Sequence, residues 1–165
     1  MKKLNFGCGR IIREGFVNVD FQKGKGIDKS FDFLKYPYPI KDNTFDNVLI
    51  DNVLEHLDDP TRVMREIWRI CKDGAMVEII VPYYNSYYAY ADPTHVNYFS
   101  DLGMRQTLGE AEYAHEPQKE KYEIVEMKLV PQRFFKLLPF PILNVMRRFL
   151  GNVIVEIRVK ARAVK

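Results

Sequence analysis

Apolar positions in the first half of the chain fall into short runs separated by turn-forming residues. The runs cover residues 4–6, 16–20, 45–50 and 75–81, and their lengths are those of buried strands. A weaker segment at residues 28–34 lies between glycine-rich and proline-rich turns. The pattern therefore predicts a series of short strands, of which the earlier ones pair in parallel.

The apolar period changes from that of a strand to that of a helix after the third clear run. Val63, Ile67 and Ile70 recur at helical spacing and define one apolar face. Asp59-Pro60 is a favourable helix start, and Asp73-Gly74 is a favourable stop. We therefore predict one amphipathic helix between the strands at 45–50 and 75–81.

The end of the chain shows a different pattern. Residues 122–130 and 153–164 alternate between apolar and polar positions, as expected of antiparallel strands near the edge of a sheet. The interval 7–15 is short for a crossover helix, so a one-turn helix or a tight loop is expected there. The prediction is a three-layer, Rossmann-like α/β sheet, mostly parallel with an antiparallel terminal strand pair, and one domain over residues 1–165.

Composition narrows the class of protein. The 165 residues are 47% hydrophobic and 28% charged, which is typical of a folded domain. Because no uncharged apolar run approaches the roughly 20 residues that a membrane span needs, we expect a cytoplasmic protein. Cys8 and Cys71 are the two cysteines, and neither lies in a metal-binding spacing. We therefore expect no disulfide framework and no metal site.

Charge is unevenly distributed along the chain. Residues 117–165 carry 11 Lys and Arg against four Asp and Glu, whereas residues 1–116 are acidic overall. Within the basic part, residues 133–152 combine apolar bulk with four cations. We interpret this segment first as a helix that packs its apolar face on the sheet. Weak contact with a membrane surface, a lid and a homodimer contact stay open as alternatives.

Chemistry-bearing residues follow successive strands, where ligands bind in open α/β sheets. A glycine pair at Gly7 and Gly9 allows the backbone to approach a ligand closely, and acidic, aromatic or amide residues follow the next strands. Each feature alone is more often structural, but their order outlines a nucleoside pocket. The six-residue glycine fingerprint of nicotinamide-binding proteins is absent from the sequence, which disfavours a nicotinamide cofactor.

Four stretches of the sequence resemble the class I S-adenosylmethionine-dependent methyltransferases, especially their small type-11-like members. They are residues 4–9 (LNFGCG), 15–20 (GFVNVD), 36–60 and 65–82, and they occur in the family's order. The resemblance implies S-adenosylmethionine as the cofactor. The cofactor-binding residues that it implies are Asn5, Gly7, Gly9, Asp20, Asp32, Phe33, Asp51 and Asn52.

The resemblance also implies a role for each of these residues. Asp20 is expected to hold the ribose, Asp32 and Phe33 to contact the adenine, and Asp51 to line the pocket near the sulfonium. Asn5 stands where many members have Asp or Glu, so it brings no charge to the ammonium group of the cofactor.

The acceptor side is expected in the long loop over residues 83–100. His95 is the preferred catalytic base, with His56 as the second candidate, while Tyr83, Tyr84 and Tyr98 are expected to line the acceptor pocket together with His95. His115 has no such context and is expected to be exposed.

The resulting prediction is transfer of a methyl group to a small-molecule or lipid-like acceptor. An Asn-Pro-Pro-Tyr motif after the fourth strand is absent, which disfavours nucleic acid as a partner. The alternative is a non-catalytic binding or assembly module that retains the methyltransferase fold.

Overall fold

The computed structural model describes residues 1–109 and 119–165, so His115 lies outside the described residues. The strands are β1 (Lys3–Phe6), β2 (Phe16–Asp20), β3 (Lys29–Ser30), β4 (Phe45–Asp51), β5 (Cys71–Pro82), β6 (Lys121–Pro131) and β7 (Ile154–Val164). The α-helices are α1 (Pro60–Ile70), α2 (Tyr87–Ala91), α3 (Asp101–Thr107) and α4 (Phe140–Phe149). Short 3₁₀ turns occupy Leu54–His56 and Arg133–Phe135.

The strands form one seven-stranded sheet in the order β3-β2-β1-β4-β5-β7-β6. The pairs from β3 to β5 are parallel, while β7 runs antiparallel between β5 and β6. This topology confirms the predicted mostly parallel, Rossmann-like class with an antiparallel terminal pair. It brings the carboxyl ends of β1, β2, β4 and β5 to one edge of the sheet.

The connection from β1 to β2 is a tight loop without a helix. The amides of Gly7 and Cys8 both donate to the Val19 carbonyl, at 2.8 and 3.0 Å. These bonds return the chain to β2 within residues 7–15, a much shorter path than the dozen or more residues of a usual parallel crossover.

The two faces of the sheet differ in chemistry. Strand alternation places Leu4, Val48, Ile79 and Val159 on one face, and these residues belong to one buried core. Helix α1 contributes its buried side chains to the same core. The other face carries charged cross-strand pairs, such as Glu126 with Lys160. The second face is therefore more polar than the face that α1 covers.

Helix α1 begins where the sequence predicts. Asp59 is its N-cap and accepts from the Arg62 amide, and Pro60 is its first residue. The helix ends at Ile70, three residues before the predicted stop, because Cys71 already pairs with Phe45 in the sheet. Gly74, with φ +74°, instead lies in the irregular first part of β5.

Residues 133–152 differ from the first interpretation of this segment. Leu143 is the buried residue of α4, while Phe134 (87% exposed), Leu137 (97%) and Phe149 (81%) face outward. The expectation that this segment packs its apolar face on the sheet is therefore wrong for most of its large side chains. Pro139 is the N-cap of α4 and Pro141 lies in its first turn, so the prolines prevent this ten-residue helix from beginning earlier.

Among the described residues, no helix is both long enough and apolar enough to cross a membrane.

Candidate functional site

The glycine turn after β1 requires glycine for two different reasons. Gly7 has φ +69°, and a Cβ there would lie 2.4 Å from Cγ2 of Val53, inside any acceptable contact distance. Gly9 also has positive φ, at +52°, but a Cβ there would meet no atom within 4 Å. The backbone at Gly7 is therefore closely packed against Val53, whereas the space beside Gly9 is open and leaves room for a ligand against the backbone.

Asp20, at the carboxyl end of β2, lies beside this turn. Its Oδ2 accepts from the Gly9 amide at 2.8 Å, and its Oδ1 accepts from the Gln22 amide at 3.0 Å. Since each carboxylate oxygen can accept a second hydrogen bond, Asp20 retains capacity for a pair of hydroxyl donors. The structure thus brings Gly9 and Asp20 together as the sequence predicts.

Asn5 lies beneath the loop and is buried. Its side-chain amide donates to the Ile11 carbonyl and to Oδ1 of Asn18, both at 2.9 Å. Both amide hydrogens are therefore used inside the protein. The expected cofactor contact through this amide is corrected to a positioning role, in which Asn5 holds the 7–15 loop against β2.

The two predicted adenine contacts separate in the structure. Asp32 is exposed and accepts from the Leu34 amide, so its carboxylate remains accessible. Phe33 is 3% exposed and stacks on Phe6 with 4.1 Å between ring centroids. An adenine contact by Phe33 is therefore corrected to a core role, because no face of its ring is accessible. Phe21, next to Asp20, is an exposed aromatic side chain that the sequence reasoning missed.

Asp51 and Asn52 lie at the carboxyl end of β4. Asp51 forms an ion pair with Arg13 at 3.3 Å and accepts from the Asn52 side chain at 3.0 Å. Nε of Arg13 is buried without a hydrogen-bond partner. Arg13 therefore links the loop after β1 to the carboxyl end of β4, a role that no sequence motif indicated.

A cavity of about 610 Å³ opens at the carboxyl ends of β4 and β5. This histidine cavity is lined by Asn52, Glu55, His56, Pro82, Tyr88, Ala91, Asp92, His95, Val155 and Glu156. The imidazole rings of His56 and His95 stand edge to face, with centroids 4.6 Å apart. The two candidate bases are thus close neighbours, although 39 positions separate them in the sequence numbering.

Hydrogen bonds orient both imidazole rings. Nδ1 of His95 lies 2.9 Å from the Ala89 carbonyl oxygen, which can only accept, so Nδ1 carries the proton. Nδ1 of His56 lies 2.9 Å from the Thr94 hydroxyl, whose own proton is donated to Asp92 at 2.6 Å. In the neutral form of each ring, this assignment leaves a free lone pair on Nε2.

Glu55 is the residue in this cavity that sequence reasoning missed. Its side chain is 1% exposed, and neither carboxylate oxygen has a hydrogen-bond partner. Burial raises the pKa of Glu55 to about 7, and the nearby carboxylates of Asp51 and Asp92 add to the rise. Its backbone carbonyl accepts from the amides of residues 96 and 97, which fixes the 92–97 loop beside it.

A second cavity, of about 410 Å³, follows β5. This tyrosine cavity is lined by Tyr83, Tyr84, Tyr98, Ser100, Asp101, Arg147 and Arg148. Arg147 donates to the Tyr83 hydroxyl at 2.5 Å and forms a two-point ion pair with Asp101, at 3.0 and 3.2 Å. The three tyrosines predicted for the acceptor pocket line this cavity together with two arginines of α4. His95, which was predicted to line the same pocket, lines the histidine cavity instead, so this part of the prediction is corrected.

Comparison with known proteins agrees with this architecture. Residues 12–79 match the Methyltransf_11 family, a methyltransferase domain. No curated protein sequence matches the chain significantly.

Solved structures with the same fold cover nearly all of the chain. A SAM-dependent methyltransferase from Archaeoglobus fulgidus is 20% identical, with 98% of this chain and 85% of the other covered and a TM-score of 0.65. The 4+2 cyclase SpnF is 16% identical, with 99% and 74% covered and a TM-score of 0.65. The methyltransferase in complex with the Haloferax volcanii Trm112 activator is 14% identical, with 99% and 83% covered and a TM-score of 0.61.

Proposed function

We propose that this chain is a class I S-adenosylmethionine-dependent methyltransferase that transfers the cofactor's methyl group to a small-molecule or lipid-like acceptor, and the match of residues 12–79 to a methyltransferase domain supports this. The observation that carries the proposal is the pair of cavities beside the cofactor-binding strand ends. One cavity presents two oriented histidines, and the other presents tyrosines and arginines. The fold alone does not decide the reaction, since a cyclase shares it.

The residues at the strand ends fit S-adenosylmethionine. The open space above Gly9 suits close approach of the cofactor, and Asp20 can accept from both ribose hydroxyls. Asp32 is exposed, so its carboxylate is available to an adenine amine. When bound, the cofactor supplies an activated methyl group on its sulfonium. The chain then has to hold an acceptor in line and exclude water.

The histidines would receive the acceptor's proton. Burial lowers the pKa of His56, and the neighbouring His95 lowers it further, so the His56 imidazole is neutral at physiological pH. His95 is oriented by the Ala89 carbonyl, which accepts from Nδ1, so Nε2 is the nitrogen that would receive the proton. We assign His95 as the preferred base and His56 as the second candidate, for an acceptor whose attacking atom carries a proton.

Incubation with methyl-labelled cofactor separates the enzyme from a non-catalytic module. We expect the protein to bind S-adenosylhomocysteine in a calorimeter and to transfer label into a metabolite or lipid extract. Binding without transfer to any fraction would favour the binding module, and no binding of either cofactor form would refute the proposal. Glu126 lies on the polar face of the sheet, so the Glu126→Gln variant serves as a control that should bind and transfer as the unaltered protein does.

The exposed segment of residues 133–152 favours a lipid-like acceptor. Between residues 132 and 155 the sequence has four cations and no Asp or Glu, and large apolar side chains face outward beside them. A surface that is both basic and apolar is complementary to an anionic lipid surface. Because Arg147 and Arg148 also line the tyrosine cavity, an acceptor could pass from the membrane surface directly into that cavity.

Vesicle co-sedimentation tests this membrane contact. We expect binding to anionic vesicles that weakens with salt, and at least ~10-fold weaker binding after Phe134→Ser with Leu137→Ser. Val125→Ser is the control, since Val125 is also exposed but lies in β6. Salt-independent binding, or equal binding by the two variants, would contradict the contact. Concentration-dependent self-association that the double substitution abolishes would instead indicate the homodimer.

The cytoplasmic location remains a prediction.

A further inference from the structure

Glu55 in the histidine cavity lacks a partner that its burial requires. Both carboxylate oxygens are buried without a hydrogen bond. A buried ionised carboxylate is costly unless it is paired, hydrogen-bonded or bound to a metal ion. Arg13, in the loop that follows β1, is paired with Asp51. The cavity therefore contains a buried carboxyl group that has no hydrogen-bond partner among the described residues.

Two imidazole nitrogens accompany this carboxyl group. One nitrogen each of His56 and His95 and one oxygen of Glu55 lie within 4.8 Å of one another. Within residues 1–109 and 119–165 no other group of His, Cys, Asp and Glu side chains meets this spacing. Ligands held at about 2.1 Å around a tetrahedral ion lie roughly 3.4 Å apart, so small side-chain rotations would complete the arrangement.

The hydrogen bonds behind the imidazoles are those that metal-binding histidines make. His95 donates from Nδ1 to a backbone carbonyl, and His56 donates from Nδ1 into the chain of Thr94 and Asp92. Such partners fix the tautomer and raise the basicity of the other nitrogen. Both Nε2 atoms are therefore oriented as metal ligands would be. Packing alone would not require this orientation of the two rings.

We propose that Glu55, His56 and His95 together bind one divalent transition-metal ion at the histidine cavity. Two imidazoles and one carboxylate suit Zn²⁺, Mn²⁺ or Fe²⁺ and leave coordination positions open. The open positions face a cavity of about 610 Å³ and are available to an oxygen atom of the acceptor. That use rests on the proposed function, and the metal would then lower the acceptor's pKa in place of a free histidine base.

Metal titration of the chelator-stripped protein tests the proposal. We expect one Mn²⁺ per chain, seen as loss of the free-ion paramagnetic resonance signal, and one Zn²⁺ by calorimetry, with a higher melting temperature. Glu55→Gln and His95→Ala should each weaken metal binding at least ~100-fold. This exceeds the loss expected when only a hydrogen-bond partner of a ligand is removed. Glu126 is a surface glutamate, so the Glu126→Gln variant should bind the metal ion as the unaltered protein does.

Absence of one-to-one binding, or equal affinity in Glu55→Gln, would overturn the metal site. Circular dichroism confirms that each variant is folded, and His56→Ala provides an independent ligand removal. S-adenosylhomocysteine affinity is measured in the same metal-free samples. Cofactor binding without metal binding would refute the metal site alone, whereas metal binding without cofactor binding would refute the proposed function alone.

Discussion

The two sides of the proposed site, a cofactor side at the glycine turn and an acceptor side at the two cavities, are built differently. On the cofactor side, the glycine turn and Asp20 are joined by backbone amides within residues 7–22, so neighbours in sequence are neighbours in space. On the acceptor side, the 3₁₀ turn at Leu54–His56 meets residues 92–97, and Tyr83 and Asp101 meet Arg147. The cofactor side is therefore local backbone structure, whereas the acceptor side consists of side chains assembled from distant segments.

This difference implies that the two sides respond to different substitutions. Adding a Cβ should damage the cofactor side, where the backbone itself approaches neighbours or ligand. Changing charge should alter the acceptor side, where buried or half-buried ionisable groups face cavities. A substitution that adds a Cβ on the cofactor side and one that removes a charge on the acceptor side, each with a matched control, therefore test the two sides separately.

The largest effect is expected from Gly7→Ala. The added Cβ would lie 2.4 Å from Cγ2 of Val53, and alanine would also be strained at φ +69°. We expect a loss of about 4 kcal/mol in the free energy of unfolding in urea. Gly15→Ala, with φ +76° and no atom within 4 Å, is the control and should lose about 1 kcal/mol. Equal losses would show that Val53 moves aside.

A pH effect is expected from Glu55 in metal-free protein. The unfolded carboxyl ionises near 4.5, whereas burial raises the folded pKa to about 7. Between these values only the unfolded chain releases the proton, so stability falls as pH rises and stays lowest above pH 7. The loss should be on the order of 3 kcal/mol between pH 4.5 and 8.

The matched comparison for Glu55 is the same pH series on Glu55→Gln. Other groups contribute equally to both proteins, so the difference between the two curves isolates Glu55. Parallel curves across the series would contradict a buried, unpartnered carboxylate.

Gly9→Ala should separate strain from ligand contact. Gly9 and Gly15 both have positive φ and open space at the Cβ position, so their alanine variants should lose similar stability. Only the Cβ at Gly9 would enter the space assigned to the cofactor. We expect ~10-fold or greater loss of S-adenosylhomocysteine affinity for Gly9→Ala and little change for Gly15→Ala, measured by calorimetry. Similar affinities would place the cofactor elsewhere.

The smallest effect is expected from Asp101→Asn. Although burial opposes it, the Arg147 guanidinium lowers the pKa of Asp101, and the ion pair fastens α4 to α3. Its loss should reduce the free energy of unfolding by about 1 to 2 kcal/mol. Glu123→Gln, which breaks the exposed pair with Arg162, should change it by less than about 0.5 kcal/mol. A larger loss of stability in Glu123→Gln than in Asp101→Asn would contradict the role of this ion pair in holding α4 against α3.

The same contrast explains what the sequence could predict. Strand ends, Gly7, Gly9 and Asp20 are local features, and their pattern predicted the fold and a nucleoside pocket, while the family resemblance implied the cofactor. Phe33 was assigned wrongly because nothing local distinguishes a stacking ring from one that packs on Phe6. Glu55 was missed because its isolation depends on the 92–97 loop, which lies nearly 40 positions later.

Titration of S-adenosylhomocysteine into metal-free Asp20→Asn and Glu55→Gln tests the division between the two sides most directly. Asp20→Asn should bind at least ~10-fold more weakly than the unaltered protein, because the charged acceptor for the ribose is lost. Glu55→Gln should bind as the unaltered protein does, since its carboxylate belongs to the acceptor side. Loss of affinity in Glu55→Gln, or none in Asp20→Asn, would contradict the account.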